Sequence, residues 1–253
     1  MNPFSLEEKT ILITGASSGI GAQCAIDCSK MGAKVILIAR NEERLQSVLS
    51  LCEGERNAYY LADMAELVDK GAKFLLEQIV SEHGKLDGFI HSAGIQKTAP
   101  LKLLSMKDYE EIIKVNTLSA FEILKYLPGI KYMNPGGHIV LIASITGVIG
   151  RSGLTAYSAS KGALISAVRS MSLELAQRGI CINCVSPGTI LTPLMQEYLD
   201  TLDENQKKQR IDGFPLGLGQ TTDISNACIY LLSDASRWMT GQNLVVDGGY
   251  TAR

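Results

Sequence analysis

The chain has 253 residues, of which 46% are hydrophobic and 20% charged, and its formal net charge is −2. Apolar residues are spread evenly along it, which excludes a disordered chain and allows a full hydrophobic core. The balanced charge gives no reason to expect a nucleic acid or an anionic membrane as partner. Because no apolar run reaches the ~18–20 residues that cross a bilayer, and because residues 1–9 do not resemble a secretory signal, we expect a cytoplasmic protein.

Seven short apolar runs alternate with segments of helical period from one end of the chain to the other. The runs cover residues 10–14, 34–39, 57–61, 86–91, 137–143, 180–186 and 243–247. Continuous apolar runs of this length are typical of strands buried on both faces of a parallel sheet. The alternation predicts one α/β domain over residues 1–253, doubly wound, with a seven-stranded parallel sheet flanked by helices, the Rossmann fold.

A glycine-rich segment, TGASSGIG over residues 14–21, joins the first predicted strand to the first predicted helix. Gly15, Gly19 and Gly21 leave room for a pyrophosphate against the backbone, and the helix offers free N–H groups at the positive end of its dipole. The spacing G-x3-G-x-G is not the commonest dinucleotide fingerprint, and glycine also serves plain tight turns. The position between a strand and a helix favours a dinucleotide site.

The second predicted strand ends at Ala39 and is followed by Arg40. A carboxylate at this point would accept hydrogen bonds from the adenosine ribose and select NAD. Arg40 is instead a cation that can bind the 2′-phosphate of NADP, although it can also be a solvated loop residue. We therefore predict NADP(H) as the cofactor.

Ser105, with Asp108 three residues later, is typical of a capping box and predicts the start of another helix. The apolar face of this helix includes Asn116, at a place where leucine or isoleucine would be expected. A buried asparagine in the middle of a helix needs hydrogen-bond partners. Asn116 is either a satisfied core amide or a residue that positions water or backbone beside a site, and we favour the second interpretation.

Ser144 follows the fifth predicted strand, and Tyr157 and Lys161 are four residues apart on a helix that begins near Thr155 and stops at Gly179. The spacing places Tyr157 and Lys161 on one helix face. A free tyrosine has a pKa near ~10, and a nearby ammonium, together with an oxidised nicotinamide, would lower it toward the working pH of an acid–base group. Ser144 can hydrogen-bond a substrate carbonyl. Tyrosine and lysine often pair on exposed helices, but the combination favours an active site.

Residues 189–220 form the one irregular stretch, in which polar helix formers are mixed with glycine and proline. Insertions at the carboxyl ends of strands in such sheets usually cover the ligand crevice. We therefore expect a mobile substrate lid, and an ordinary surface excursion is the alternative.

The six cysteines do not have the spacing of a metal site. Cys181 and Cys184 form a CxxC pattern inside the sixth predicted strand, where residues three apart face opposite sides. Cys24 and Cys28 share a helix face, with no further cysteine or histidine cluster nearby. We expect six reduced thiols and no metal.

Taken in order, these segments resemble the short-chain dehydrogenase/reductase family, in its compact single-domain branch. The likeness extends from Thr14 to Gly249 and covers the glycine loop, the Ser144, Tyr157 and Lys161 set, Asp63, Ala93-Gly94, Lys114-Val115-Asn116, Pro187-Gly188 with Thr192, and the closing Thr240-Gly241-Gln242 and Val246-Asp247-Gly248-Gly249. The resemblance implies a nicotinamide cofactor and a small-molecule carbonyl or alcohol substrate. It is specific for the family and says little about the substrate.

The resemblance also implies a role for each catalytic residue. Tyr157 is the acid–base, and Lys161 lowers its pKa and holds the nicotinamide ribose. Ser144 orients the carbonyl, and Asn116 holds a water in a proton relay. The cofactor-binding residues that it implies, Asp63 at the adenine and Thr192 at the carboxamide among them, are Gly15, Ser17, Ser18, Gly19, Ile20, Gly21, Arg40, Asp63, Met64, Ser92, Ala93, Gly94, Tyr157, Lys161, Pro187, Gly188, Ile190 and Thr192.

One segment departs from the family pattern. Where the family usually has Asn-Asn-Ala-Gly, this chain has His91-Ser92-Ala93-Gly94. Ser92 can still hydrogen-bond the backbone. A catalytic role for His91 is conceivable, but we interpret it as a satisfied histidine at a strand end.

We expect an NADP(H)-dependent oxidoreductase that interconverts a ketone or 3-oxoacyl group and a secondary alcohol. One alternative is an NAD-dependent dehydrogenase of the same family that acts on alcohols, polyols or steroids. Another is a non-catalytic dinucleotide-binding regulator, although a pure sensor needs no proton donor. A sugar-nucleotide epimerase of the longer related branch is disfavoured by the glycine spacing and by the lack of a carboxyl-terminal substrate domain.

The residues expected around the substrate are mostly apolar, with Arg151 as one cation. They are Ile95, Gln96, Ile145, Thr146, Arg151, Leu154 and the segment 194–198. A 3-oxoacyl thioester is the default substrate of relatives with this shape. Carrier-dependent relatives often have arginine before the acidic residue at Glu174, and this chain has Leu173 there, so presentation by a carrier protein stays open.

The family also implies a homotetramer, in which the helices predicted over residues 105–127 and 155–178 pack across a two-fold axis. Both helices carry more apolar positions than one sheet face needs. We therefore expect self-association.

Overall fold

The structure, a computed structural model, describes residues 2–252. Its strands are β1 (Thr10–Thr14), β2 (Lys34–Ala39), β3 (Ala58–Leu61), β4 (Leu86–His91), β5 (Met133–Ile142), β6 (Cys181–Pro187), β7 (Ile190–Leu191), β8 (Gly219–Gln220) and β9 (Asn243–Val246). Its helices are α1 (Gly19–Lys30), α2 (Glu42–Leu49), α3 (Met64–Lys70), α4 (Lys73–His83), α5 (Met106–Ile113), α6 (Ser119–Leu124), α7 (Thr155–Leu175), α8 (Pro193–Asp200), α9 (Glu204–Ile211) and α10 (Thr221–Leu232).

Seven of the strands form one parallel sheet in the order β3-β2-β1-β4-β5-β6-β9. The chain runs outward from β1 to β3 and then returns to place β4 on the other side of β1. Such a reversal opens a crevice at the carboxyl ends of the strands, where ligands of doubly wound sheets bind. The predicted fold class, a seven-stranded Rossmann sheet flanked by helices, is confirmed.

Helices cover both faces of this sheet because its strands bury side chains alternately on each side. Leu12 packs in a core with residues of α4, α6 and α7, whereas Ile11 and Ile13 pack in a second core with residues of α1, α2 and α10. The strands in the middle of the sheet therefore bury apolar side chains on both faces.

The predicted strand boundaries are confirmed at β1, β2 and β4, and the others differ by a few residues. The largest difference is at β5, which begins at Met133 rather than at residue 137. Met133 pairs with Leu86, and the register then shifts before Gly88 pairs with His138. Pro135 and Gly136 in this irregular stretch are typical of a turn, so the sequence pattern does not predict a strand there.

The capping box at Ser105 is present and starts α5, but the helix that follows is not continuous. α5 ends at Ile113, a π-helical turn spans Lys114–Leu118, and α6 then begins at Ser119. The expectation of one regular helix through Asn116 is therefore wrong. π turns are frequent at functional sites, and this one contains the buried Asn116.

The helix that carries Tyr157 has the predicted limits. α7 begins at Thr155, and a short 3₁₀ turn carries it to Gly179, whose φ of 67° is the left-handed conformation of a C-cap.

The predicted lid, residues 189–220, is tied at both of its ends. β7 pairs in parallel with β8, so the segment leaves and rejoins the body of the protein at one place. α8 and α9 lie between these strands, and Asp203 starts α9 with a capping box. Across the part of the chain that is described, no helix is long and apolar enough to cross a membrane.

Candidate active site

Most of the predicted site residues lie at one edge of the sheet. Gly15 follows β1, Ser92 follows β4, Ser144 lies two residues beyond β5, and Gly188 follows β6. Because the strands are parallel, their carboxyl ends meet at the same edge, beside the point where the strand order reverses.

The glycine loop fits closely between two neighbouring segments. Gly15 has a φ of 66°, and a methyl group on it would lie 2.6 Å from Ala93 N. A methyl group on Gly21 would lie 2.3 Å from Gly15 O, so neither position admits a side chain. Gly19, also with positive φ, faces Thr192, whose Cγ2 would lie 3.3 Å from such a methyl group. The loop can thus place backbone directly against a ligand.

The amino end of α1 is suited to a phosphate group. Ser18 is its N-cap residue, and its side chain makes no capping hydrogen bond in the described structure. The first turn of α1 carries no acidic residue that would repel an anion. Backbone N–H groups at such an end can bind a pyrophosphate.

Arg40 is exposed but ion-paired. Its Nη1 lies 3.3 Å from Asp63 Oδ2, and 75% of its side chain is exposed. The other oxygen of Asp63 accepts a hydrogen bond of 2.7 Å from Ala65 N at the start of α3, which fixes the carboxylate. An exposed pair of this kind contributes only about 0–1 kcal/mol, so a phosphate dianion can compete for Arg40. The buried Met64 follows Asp63.

Asn116 is fully buried and makes three hydrogen bonds. Its Oδ1 accepts from Ile95 N at 2.7 Å, and its Nδ2 donates to Ile95 O at 2.9 Å and to Ser160 Oγ at 3.0 Å. The π turn places the amide between the loop after β4 and α7. Asn116 is therefore a satisfied buried amide and at the same time a positioning residue of this edge.

Ser160 connects Asn116 to the helix of the predicted acid–base. Its hydroxyl accepts from Asn116 and donates to Tyr157 O at 2.7 Å, and Thr117 Oγ1 donates to Ser160 O at 2.9 Å. The sequence reasoning missed Ser160. A small polar residue beside Lys161 was the available signal.

Lys161 is buried, with 3% of its surface exposed. Its Nζ donates a hydrogen bond of 2.7 Å to Ile142 O, at the end of β5, and lies 5.8 Å from the centre of the Tyr157 ring. Among the ion pairs of the described residues, none includes Lys161. Burial lowers the pKa of Lys161 to about 8.

The pKa of Tyr157 is raised, whereas the sequence analysis predicts that it is lowered. Burial raises the pKa of Tyr157, and a hydrogen bond from Ser144 only partly opposes this. The expected lowering by Lys161 does not occur in the chain alone. Its ammonium donates to Ile142 O and lies 5.8 Å from the centre of the Tyr157 ring. In this structure Tyr157 is thus a protonated phenol, which suits a proton donor.

Ser144 is positioned by a residue that the sequence reasoning placed only in the substrate pocket. Thr146 donates to Ser144 Oγ from its backbone N at 3.2 Å and from its Oγ1 at 3.0 Å. Both acceptor sites of the Ser144 hydroxyl are then used, so its proton is available for Tyr157 or for a carbonyl oxygen.

His91 and Ser92 hold the end of β4. His91 is fully buried, its Nδ1 lies 2.9 Å from Thr14 Oγ1, and burial lowers its pKa to about 3. The ring is therefore neutral and hydrogen-bonded, in agreement with a satisfied strand-end histidine. Ser92 N donates to Thr14 O at 3.2 Å. A methyl group on the neighbouring Gly94 would lie 3.4 Å from Lys161 Nζ, so this segment borders the buried cation.

The predicted cofactor residues after β6 lie at the same edge. Pro187 ends β6, and the buried Ile190 opens β7. A methyl group on Gly188 would lie 2.9 Å from Asp247 Cα, which explains the glycine. Thr192 caps α8 by accepting from Met195 N at 3.2 Å. None of the described residues forms a group that could hold a metal ion.

Comparisons with known proteins cover almost the whole chain. A family model described as enoyl-(acyl carrier protein) reductase matches residues 15–251. A 3-oxoacyl-(acyl-carrier-protein) reductase from Rickettsia conorii is 34% identical over 247 residues, 97% of this chain and 98% of the relative. A glucose 1-dehydrogenase from Gluconobacter oxydans is 34% identical over 253 residues, 96% of this chain and 92% of the relative. Because the chain is equally similar to a 3-oxoacyl reductase and to a sugar dehydrogenase, these identities do not indicate its substrate.

The chain also superposes over nearly its whole length on solved structures of dehydrogenases. A dehydrogenase/reductase from Sinorhizobium meliloti superposes with a TM-score of 0.88 at 31% identity, over 98% of this chain and 97% of that one. A chain from Agrobacterium tumefaciens, assigned as a 2-deoxy-d-gluconate 3-dehydrogenase and solved with bound NADP, superposes with a TM-score of 0.84 at 30% identity over the full length of both.

The lowered pKa of Lys161 predicts a particular pH dependence of stability. Between pH 8 and 10 the unfolded chain keeps a proton on this lysine that the folded chain has released, so this group makes folding more favourable as pH rises. Over this interval the free energy of unfolding of the wild type should rise by about 2 kcal/mol relative to Lys161→Met. Denaturant unfolding of both proteins at a series of pH values measures the difference. A difference that stays constant or falls would contradict the prediction.

Proposed function

The chain belongs to the short-chain dehydrogenase/reductase family and is an NAD(P)-dependent oxidoreductase, and on this basis we propose the finer function. It is an NADP(H)-dependent enzyme that interconverts a ketone or 3-oxoacyl group and a secondary alcohol, with Tyr157 as general acid and base. The observation that carries the proposal is the convergence of Asn116, Ser144, Tyr157 and Lys161 at one edge of the sheet.

In the direction of reduction, a nicotinamide bound at this edge would supply the hydride that the carbonyl carbon receives. Tyr157 donates its phenolic proton to the carbonyl oxygen, and its raised pKa keeps that proton in place beforehand. Ser144 donates a hydrogen bond to the same oxygen. Lys161 Nζ lies 5.8 Å from the centre of the Tyr157 ring. With the cofactor bound, this ammonium would stabilise the phenolate left after proton transfer, an effect that is absent in the chain alone.

Asn116 takes part indirectly. Both Nδ2 protons and one acceptor site of Oδ1 are used by Ile95 and Ser160, so Asn116 fixes the loop after β4 and α7 relative to each other. A water in a proton relay, as the family resemblance implies, would bind the backbone of the π turn or the second acceptor site of Asn116 Oδ1.

The residues at the sheet edge fit a dinucleotide. The glycine loop and the amino end of α1 would hold the pyrophosphate, Asp63 the adenine side, and Lys161 the nicotinamide ribose. Arg40 would bind the 2′-phosphate in place of Asp63. The full-length likeness to an NADP-bound structure supports NADP(H).

Several other parts of the proposal concern the substrate. We propose that residues 189–220 cover it, since this segment follows β6 and is tied at both ends.

Relatives named for 3-oxoacyl and for sugar substrates are equally similar, so an NAD- or NADP-dependent polyol dehydrogenase stays the alternative. Leu173, at the place where carrier-dependent relatives often have arginine, is 77% exposed and supplies no positive charge for an acidic carrier protein.

We also propose that the protein forms a homotetramer. Large apolar side chains are exposed on and near the two helices expected at the interface: Met106 and Leu118 on α5 and its π turn, and Leu173 on α7. Association would remove them from water. Light scattering at micromolar concentration should give four times the chain mass, and a monomeric mass would contradict this part of the proposal.

Substitution of Tyr157→Phe removes the proton donor and should lower kcat at least ~100-fold. NADPH binding should change little, because the hydroxyl contributes a proton rather than the binding site. The measurement follows NADPH oxidation with a ketone that the wild type reduces, and NADPH binding by fluorescence. Tyr126→Phe, remote from this edge, is the matched control. Wild-type turnover in Tyr157→Phe would show that the acid–base is another group.

The role of Arg40 predicts a preference for NADPH over NADH. A charge-assisted contact with the 2′-phosphate is worth roughly 1.5–3 kcal/mol, which is about a 10- to more than 100-fold difference in Kd. Because Arg40 is largely exposed, the preference should shrink as salt increases. The double change Ala39→Asp and Arg40→Leu should shift it toward NADH, whereas Arg56→Leu should not. Equal Kd values for both cofactors in the wild type would overturn the assignment.

A further inference from the structure

A cavity of about 400 Å³ lies between three segments at the active-site edge of the sheet. Its walls come from the loop after β5, from residues 198–214 after β6, and from Tyr250 after β9. All three segments follow carboxyl ends of parallel strands, as Ser144 and Gly188 do. A methyl group on Gly188 would lie 3.1 Å from Phe214 Cε1, so the wall of the cavity reaches the predicted cofactor loop.

Two arginines face this cavity, where the sequence analysis placed only Arg151. The second, Arg210, lies on α9, and its Nε is buried without a hydrogen-bond partner. Among the ion pairs found within residues 2–252, none includes Arg151 or Arg210. Burial, and then the charge of Arg151, lower the pKa of Arg210 from its usual value, so the two cations act on each other across the cavity.

Aromatic side chains lie beside the Arg210 guanidinium and line the cavity. The Arg210 guanidinium carbon lies 5.0 Å from the centre of the Tyr198 ring. A guanidinium over the face of a ring can still donate hydrogen bonds in its own plane to an anion. Phe214 and Tyr250, whose ring centres are 4.5 Å apart, form another wall. The cavity thus combines two cations with apolar surface.

We infer that this cavity binds an anionic group of the substrate, a carboxylate or a phosphate, through Arg151 and Arg210. The charge of such a group would offset the repulsion between the two guanidinium groups that line the cavity. The inference rests on the proposed function, since it supplies the substrate class of the same site. It predicts an oxo acid, a hydroxy acid or a phosphorylated ketone rather than an uncharged ketone or polyol.

The carbonyl to be reduced and this anionic group belong to one small molecule. Arg151 lies on the connection between Ser144 and Tyr157, so the substrate can contact both the cavity and the acid–base from that connection. An uncharged analogue would leave Arg151 and Arg210 without an anionic partner. A site built to hydrogen-bond a polar group of its substrate discriminates strongly against analogues that lack that group.

The first test measures binding without turnover. Benzoate, phenyl phosphate and the uncharged benzamide are titrated calorimetrically into the full chain, with and without saturating NADP⁺, in a buffer free of phosphate and sulfate. Saturating NADP⁺ keeps the probes from the cofactor's own phosphate sites. Benzoate or phenyl phosphate should bind at least ~10-fold more tightly than benzamide, and the tighter of the two identifies a carboxylate or a phosphate ligand.

Substitutions then locate the site. Arg151→Met and Arg210→Met should each weaken binding of the anionic probe at least ~10-fold. Lys208→Met, an exposed change of equal charge on the same helix, should not. Thermal unfolding of each variant checks that it is folded. Anion binding that both arginine variants leave unchanged, or benzamide binding as tight as benzoate, would overturn the inference.

A second readout separates this inference from the proposed function. Oxo acids and their methyl esters are compared as substrates with NADPH, and the wild type should prefer an acid through a lower KM, a preference that Arg210→Met removes. If no ketone is reduced but anion binding depends on both arginines, the proposed reaction fails and the anion site stands. If ketones are reduced and the arginine variants alter neither binding nor preference, the inference fails and the reaction stands.

Discussion

Lys161 keeps its ammonium group inside the protein, 3% exposed, with one hydrogen bond of 2.7 Å to Ile142 O. A buried cation without a carboxylate partner is costly, and the cost appears as a pKa lowered to about 8. The end of β5 supplies the carbonyl that makes this burial possible, and α7 supplies the lysine. Tyr157, one turn earlier on α7, is thereby placed next to a positive charge and beside Ser144.

The segments around this cation are held together by amides and hydroxyls rather than by ion pairs. Asn116, in its π turn, bonds both backbone groups of Ile95 and also Ser160, so the loop after β4 cannot move independently of α7. The glycine loop closes the other side, since Gly15 admits no side chain against Ala93. The segment 189–220 lies outside this network. β7 pairs with β8 at its two ends, Leu216 N donates to Gly248 O, and the segment carries one wall of the cavity that Arg151 and Arg210 line.

Local patterns were sufficient for the parallel sheet, the limits of α7 and the glycine loop, because each depends on residues close together in sequence. The π turn was not predictable, since the apolar period of a regular helix passes through Asn116 and its partner Ile95 lies on another segment. The raised pKa of Tyr157 depends on burial, which neighbouring residues in the sequence do not reveal. The meeting of Arg151 with Arg210 follows from the path of residues 189–220 and has no sequence signature of its own.

Lys161 is a buried cation with a lowered pKa at the edge of the sheet that carries the candidate active site. Its titration can be followed directly by NMR of protein labelled with ¹³C at the lysine ε-carbon, with the signal assigned by its loss in Lys161→Arg. We expect a midpoint at about pH 8. A midpoint at the ordinary lysine value, about 10.4, would contradict it.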